Sequence, residues 1–191
     1  MEEQTTGCLV CGAPLEYFPS QIEMECTYCH KTFMSNARCV NGHFICDSCH
    51  EQMGLRVIED ICRHTDSKDP VAIMKKIILS PYIYMHGPEH HVLVGSALLA
   101  AYKNAGGELD LDAALEEMRN RGAQVPGGIC GLWGTCGAAV STGIFVSLIT
   151  GASPLSGKEW GLCNEMTSRS LGAIAKTGGP RCCKRDSYTA I

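Results

Sequence analysis

The stretch PGGICGLWGTCGAAVSTG, residues 126–143, decides how the chain is read, together with GGPRCC at residues 178–183. No charged residue occurs between Arg121 and Lys158, yet this interval holds Cys130, Cys136 and a run of glycines. An apolar core has no need of so many glycines, which serve where backbone takes unusual angles or closely approaches something. Cys136 follows Gly134-Thr135 and precedes an apolar run, which places it in the first turn of a buried helix. Cys182 and Cys183 repeat the arrangement after Gly178-Gly179, with Pro180 suited to a first helical position. Free N–H groups and the positive end of a helix dipole lower a thiol's pKa, and Arg181, Lys184 and Arg185 act in the same sense. Two helix starts are therefore expected to hold thiolates, as an iron–sulfur cluster or a redox thiol pair requires. Buried apolar cysteines are the competing reading.

At 191 residues the chain has room for one sizeable core and a small appendage. A net charge of −4 argues against a nucleic-acid-binding surface, which is normally basic. Thirteen cysteines raise the possibility of a secreted disulfide scaffold. The start MEEQTTGC is acidic and polar, without the apolar region of a signal peptide, and the cysteines come in CxxC pairs, so a reducing cytoplasm is expected. The uncharged stretch is long enough to raise a membrane span. Gly137, Ser141, Thr142, Gly143, Ser147, Thr150 and Gly151 dilute it, and neither flank carries an aromatic belt with basic residues. The expectation is a buried helix packed through Gly143, Ser147 and Gly151, with no membrane and no nucleic acid as partner.

Residues 1–52 read as a zinc-binding module. Four pairs stand at metal-knuckle spacing: Cys8/Cys11, Cys26/Cys29, Cys39/His43 and Cys46/Cys49. Eight donors suffice for two tetrahedral sites, so two structural zinc ions are expected. Short β pieces, Leu15–Phe18 and Ile22–Glu25, flank a turn at Pro19-Ser20. So short a segment cannot bury enough apolar surface alone, which leaves metal to stabilise it. The pattern resembles zinc-ribbon and cross-brace (RING- or FYVE-like) modules, although the Cys/His pair stands third and not second as in RING order. Spacing leaves open whether pair one shares its metal with pair two or pair three. His30 and His50 read as solvated neighbours. A closed four-donor site has no position for substrate, so the module is structural or partner-docking.

Residues 53–191 read as a helical bundle, giving a mostly α chain with a small β-rich front end. Helices are expected over Gly54–Thr65, after the Asp69-Pro70 cap to Ser80, from Pro88 through Tyr102, and after Asp110 or Asp112 to Gly122. Three more follow near Thr135–Thr150, over Gly157–Lys176, and from Pro180 to Ile191. Cys62 falls on an apolar face and reads as core, and His64 as structural. The run HGPEHH places His86, Glu89, His90 and His91 at a helix start, where the dipole disfavours imidazolium. His90 with Glu89 is the candidate acid–base group, and His86 with His90 a candidate metal pair.

The motifs HGPEHH, PGGICGLWGTCGAAVSTG and GGPRCCKRDS, with the zinc-binding front end, resemble an uncharacterised domain family of anaerobic bacteria and archaea. That resemblance implies association with SAM-dependent methyltransferase or radical-SAM proteins. Cys130, the Cys136-Gly-Ala-Ala run and the later cysteines are similar to a redox-active family with a C…GCAxxG…C…C signature, from which Thr135 and Gly137 depart. Cys136-Gly-Ala-Ala-Val and Cys183-Lys-Arg-Asp are similar to the cluster motifs of iron–sulfur serine dehydratases. By that likeness Cys136 and Cys183 would bind a 4Fe–4S cluster, with Cys163, Cys182 or Cys130 as third ligand. The expectations are thus a metalloprotein with a cluster or redox-active cysteine set and a lyase or sulfur-handling activity, or a non-catalytic accessory of a larger enzyme. A thiol–disulfide protein using Cys182 and Cys183 is the third reading, although neighbouring cysteines form a strained disulfide.

Overall fold

The computed structural model describes residues 7–191; the acidic start Met1–Thr6 lies outside the described residues. The chain divides into two compact units, Met1–Gly54 and Leu55–Ile191.

In the first unit, strand β1 (Leu15–Glu25) pairs antiparallel with β2 (Thr32–Cys39), from Leu15 opposite Cys39 to Glu25 opposite Thr32. The expected two pieces with a turn at Pro19-Ser20 are instead one strand, whose register is irregular between Tyr17 and Ile22. Proline cannot donate to a ladder, and a bulge accommodates it without reversing the chain. Among the described residues, the buried hydrophobic ones of this unit are Cys8, Met24, Cys26, Cys39 and Cys46. Of these only Met24 is not a candidate metal donor, so the unit has almost no oily core of its own.

Helix α1 runs Asp47–His64, starting seven residues before the expected Gly54 and carrying Cys49 in its first turn. The second unit continues with α2 (Pro70–Ile78), α3 (His90–Asn104), α4 (Leu111–Gly122), the single turn α5 (Cys130–Trp133), α6 (Gly137–Thr150), α7 (Lys158–Thr177) and α8 (Cys183–Ala190). The Asp69 carboxylate accepts from the amides of Val71 and Ala72, and Asp110 caps α4 through Ala113. Pro180 does not open α8: it follows a cis bond from Gly179, and the helix begins three residues later.

Helix α3 is buried on nearly every side, as expected of HHVLVGSALLAA, which has no polar face. It packs against α2, α4, α6 and α8. Small residues allow the closest approaches. The Gly95 amide donates to Ser141 Oγ at 2.9 Å across α3 and α6. Gly143 of α6 lies so near Thr167 and the Cys163 carbonyl of α7 that a β-carbon would collide. Gly151, expected in the same stripe, instead ends α6 in the left-handed conformation with φ of 65°. Cys62 lies in the core with Leu55, Ile58 and Ile73, and burial pushes its thiol up to about 12. No described helix is long and apolar enough to cross a membrane.

Candidate functional site

Two sets of donors are assembled in the first unit. Cys8, Cys11, Cys39 and His43 place one ligand atom each within 4.8 Å of one another, and Cys26, Cys29, Cys46 and Cys49 do the same. Pair one therefore meets pair three, and pair two meets pair four: the sites interleave. The backbone shapes each knuckle. The Gly12 amide donates to Cys8 O at 2.7 Å, His30 to Cys26 O at 2.9 Å, and Gly42 to Cys39 O at 2.7 Å. Gly12, His30 and Gly42 all have positive φ, which turns the chain sharply enough to bring two donors to one point. Sulfurs approach at 3.5 Å for Cys11 and Cys39 and at 3.7 Å for Cys29 and Cys46, with Cys8 Sγ 3.8 Å from His43 Nδ1. A tetrahedron of bonds about 2.3 Å long has edges of about 3.8 Å, so these sets are sized for one ion each.

The electrostatics agree. The Ala13 amide, followed by Asn41, draws the Cys11 thiol down to about 6. At Cys26 burial raises the thiol, but the amides of Cys46, Cys29 and Tyr28 outweigh it and leave it near 6. Burial pushes Cys39 and Cys46 up, and Cys49 to about 12. Four crowded thiols cannot all ionise without a cation, and a divalent ion removes that conflict. All thirteen cysteines are free of disulfides. His30 is exposed and bonded to Glu25, whereas His50 is buried and held down to about 4 by desolvation, contrary to its expected solvation.

The second unit brings its unusual motifs to one pocket of about 330 Å³. His86 and His90 come from the HGPEHH run, Cys130 and Cys136 from the glycine-rich stretch, and Arg181 and Cys183 from the last motif. Cys136 feels the charge of Cys130, and Cys183 that of Cys136 and Cys130. Cys163 lies apart, beside Arg121, Val140 and Gly143 in a second, shallower hollow. Cys182 caps α8 and Glu89 precedes α3; neither lines the pocket.

The expected lowering of the helix-start thiols is not found. Burial pushes Cys136 up, with the amides of Ala138 and Ala139 opposing it and Asp186 adding to it. Burial likewise raises Cys183, against the Gly87 amide and Arg181. Desolvation outweighs a helix end where a thiol is more than half buried.

His90 is fully buried, with Nε2 2.9 Å from the Tyr84 carbonyl and Nδ1 2.9 Å from Ser187 Oγ. Both ring nitrogens are engaged, Nε2 by the Tyr84 carbonyl and Nδ1 by the Ser187 hydroxyl, which itself donates to the Cys183 carbonyl, so neither is left open for a metal. Burial holds this histidine down at about 4. Glu89 is equally buried, its carboxylate turned against Gly87 and 3.9 Å from His90 Nε2. The better placed imidazole is His91, which also lines the pocket. Its Nδ1 donates to the Val125 carbonyl at 3.0 Å, burial lowers its pKa, and Nε2 makes no hydrogen bond among the described residues. Backbone fixation of one nitrogen leaves the other as an oriented lone pair. Sequence spacing could not favour His91, since adjacent residues at a helix start differ only by which way the first turn faces.

Fold and site define a cysteine-rich class: an interleaved two-site metal module joined to a helical domain with a thiol- and imidazole-lined pocket. Residues 58–191 match a family of unknown function (DUF5714), and the chain belongs to that family. No curated protein and no solved structure matches it.

Proposed function

We propose that the protein is a metalloprotein with structural zinc in the interleaved module and a redox or Lewis-acid cofactor in the helical domain. Cys8, Cys11, Cys39 and His43 would hold one zinc, and Cys26, Cys29, Cys46 and Cys49 the other. Cys130, Cys136 and Cys183 would hold an iron–sulfur cluster of the 4Fe–4S type, serving a lyase or sulfur-handling activity. One observation carries this reading: three thiols from two motifs distant in sequence line a single pocket of about 330 Å³.

The residues fit such a group. These thiols are not gathered to within single-ion distance as the module's donors are, so a group of several atoms suits them better than a lone ion. The cofactor, once bound, would supply electron transfer or an open Lewis-acid position. His91 Nε2 would then accept a proton from a molecule in the pocket, and His86 would stand at its exposed side. His90 would act as a positioning residue, tying the start of α3 to Ser187 of α8. Anaerobic purification followed by zinc, iron and acid-labile sulfide analysis tests the reading. Two zinc ions with stoichiometric iron and sulfide are expected; zinc alone would overturn the cofactor.

A second reading rests on Leu132 and Trp133 of α5, both largely exposed beside Cys130. They would suit an accessory protein that docks on a SAM-dependent methyltransferase or radical-SAM enzyme. Addition of that partner should then slow amide exchange at residues 130–133.

A further inference from the structure

Three helices begin at the walls of the pocket. His90 and His91 open α3, Gly137 and Ala138 open α6, and Cys183 opens α8. Each helix directs the positive end of its dipole toward its start, the first amides of α3 being already bonded to the Gly87, Pro88 and Glu89 carbonyls. Convergence of three such ends gives a stronger positive contribution than a single helix would supply. The side chains reinforce it. Among the described residues no carboxylate lines the pocket, and its one permanently charged side chain is Arg181. That guanidinium makes no ion pair among the described residues, in contrast to Arg185, which is paired with Asp186 at 2.9 Å. Arg181 instead reaches over Gly128, with Nη1 at ordinary contact distance from where a β-carbon would stand. Of the acidic groups nearest the pocket, Asp186 is paired with Arg185 yet still raises Cys136, and the buried Glu89 attracts Lys184. An arginine fork left open beside three helix starts matches an oxyanion in both charge and shape.

A second feature says what else the ligand carries. His91 is only 8% exposed and lines the pocket with its ring against Gly137, and its Nε2 makes no hydrogen bond among the described residues. With Nδ1 donating to Val125, Nε2 offers a lone pair and not a proton. The complementary molecule presents a hydroxyl or amine hydrogen to it. A volume of about 330 Å³ suits a small metabolite and is at the low end for ligand pockets.

We infer that the pocket binds a small oxyanion, a carboxylate or phosphate with a hydroxyl or amine group, anchored by Arg181 and facing His91 Nε2. This names the ligand class of the proposed site and rests on that reading only in placing the ligand beside Cys130, Cys136 and Cys183.

The pocket thiols provide the probe. Iodoacetate and iodoacetamide attack the same thiolate, forming the same S–C bond and releasing iodide, but only iodoacetate is an anion. Their rate ratio therefore cancels the thiolate fraction and reports the field. The full chain is assayed for iron and sulfide, stripped of iron under reducing conditions, then alkylated and mapped by mass spectrometry. Relative to N-acetylcysteine, the iodoacetate preference at Cys130, Cys136 and Cys183 should rise about ten-fold, as for one unit charge at close range in a half-buried site. Arg181→Gln should remove most of that gain and Arg181→Lys should keep it, with the effect shrinking as salt is added. Inorganic phosphate or propionate should protect the thiols, and the better protector identifies the oxyanion. A ratio equal to that of N-acetylcysteine, a ratio unmoved in Arg181→Gln, or protection by neither anion overturns the inference. Absence of iron and sulfide in the first assay removes the cofactor reading alone, since the ratio is measured without them.

Discussion

The imidazole of His91 lies against the Cα of Gly137 in the first turn of α6, so closely that no β-carbon fits between them. The ring cannot simply swing aside, because its Nδ1 is bonded to Val125 and the residue is buried. Gly137→Ala gains about 1 kcal/mol of helix propensity but overpacks the contact at a cost of about 1–3 kcal/mol. A net loss of about 1 kcal/mol is expected from urea denaturation, together with altered metal content. A variant as stable as the parent would show that the contact is loose.

The interleaved module should depend on metal for its structure. With Met24 as its one buried hydrophobic residue outside the donor sets among the described residues, chelation removes the principal source of stability. Chelator should release two metal ions per chain and collapse amide protection in β1 and β2. Trp133 and Trp160 both belong to the helical unit, so tryptophan fluorescence should stay constant. Strands that remained protected in excess chelator would contradict this.

Cysteines of the helical unit should divide by position and not by type. Cys136→Ser or Cys183→Ser should reduce iron and sulfide to background, because both line the pocket. Cys163→Ser should leave iron, sulfide and zinc unchanged, since Cys163 faces another hollow. Equal loss in all three variants would mean that the effect is general misfolding.

Acid should destabilise the helical unit through His90. Its pKa is depressed by burial from an ordinary 6.5 to about 4, so between those values the unfolded chain binds the extra proton. Stability from this group is therefore fully present above about pH 6.5 and lost as pH falls toward 4, by on the order of 3 kcal/mol. His91 acts in the same direction, its pKa also lowered by burial. Denaturation followed by tryptophan fluorescence should show this slope, and His90→Gln should flatten it. A slope unchanged in the variant would remove His90 from the account.

Much of this architecture was legible in the sequence because its signals are local. Asp69-Pro70 caps α2 by short-range hydrogen bonds, and the all-apolar run after His91 declares a central helix. Donor spacing likewise exposed the four knuckles. Which knuckle meets which depends on the β1–β2 pairing that brings Leu15 opposite Cys39, a contact between residues distant in sequence.

The helical pocket was legible as a set of motifs but not as chemistry. Glycine and cysteine content marked the segments that meet there. Burial then reversed the expected lowering at Cys136 and Cys183, and burial is a property of the packed fold. His90 and His91 were indistinguishable until the first turn of α3 directed one at Tyr84 and Ser187 and the other at Val125.

The crossing of donor pairs also fixes an order of assembly. As the chain is made from its N-terminus, neither metal site has a complete donor set until residues 39–43 follow the first two pairs. The second set closes only at Cys49, already inside α1. No single cut leaves an intact site on both sides, so the module cannot be halved into two smaller working fingers.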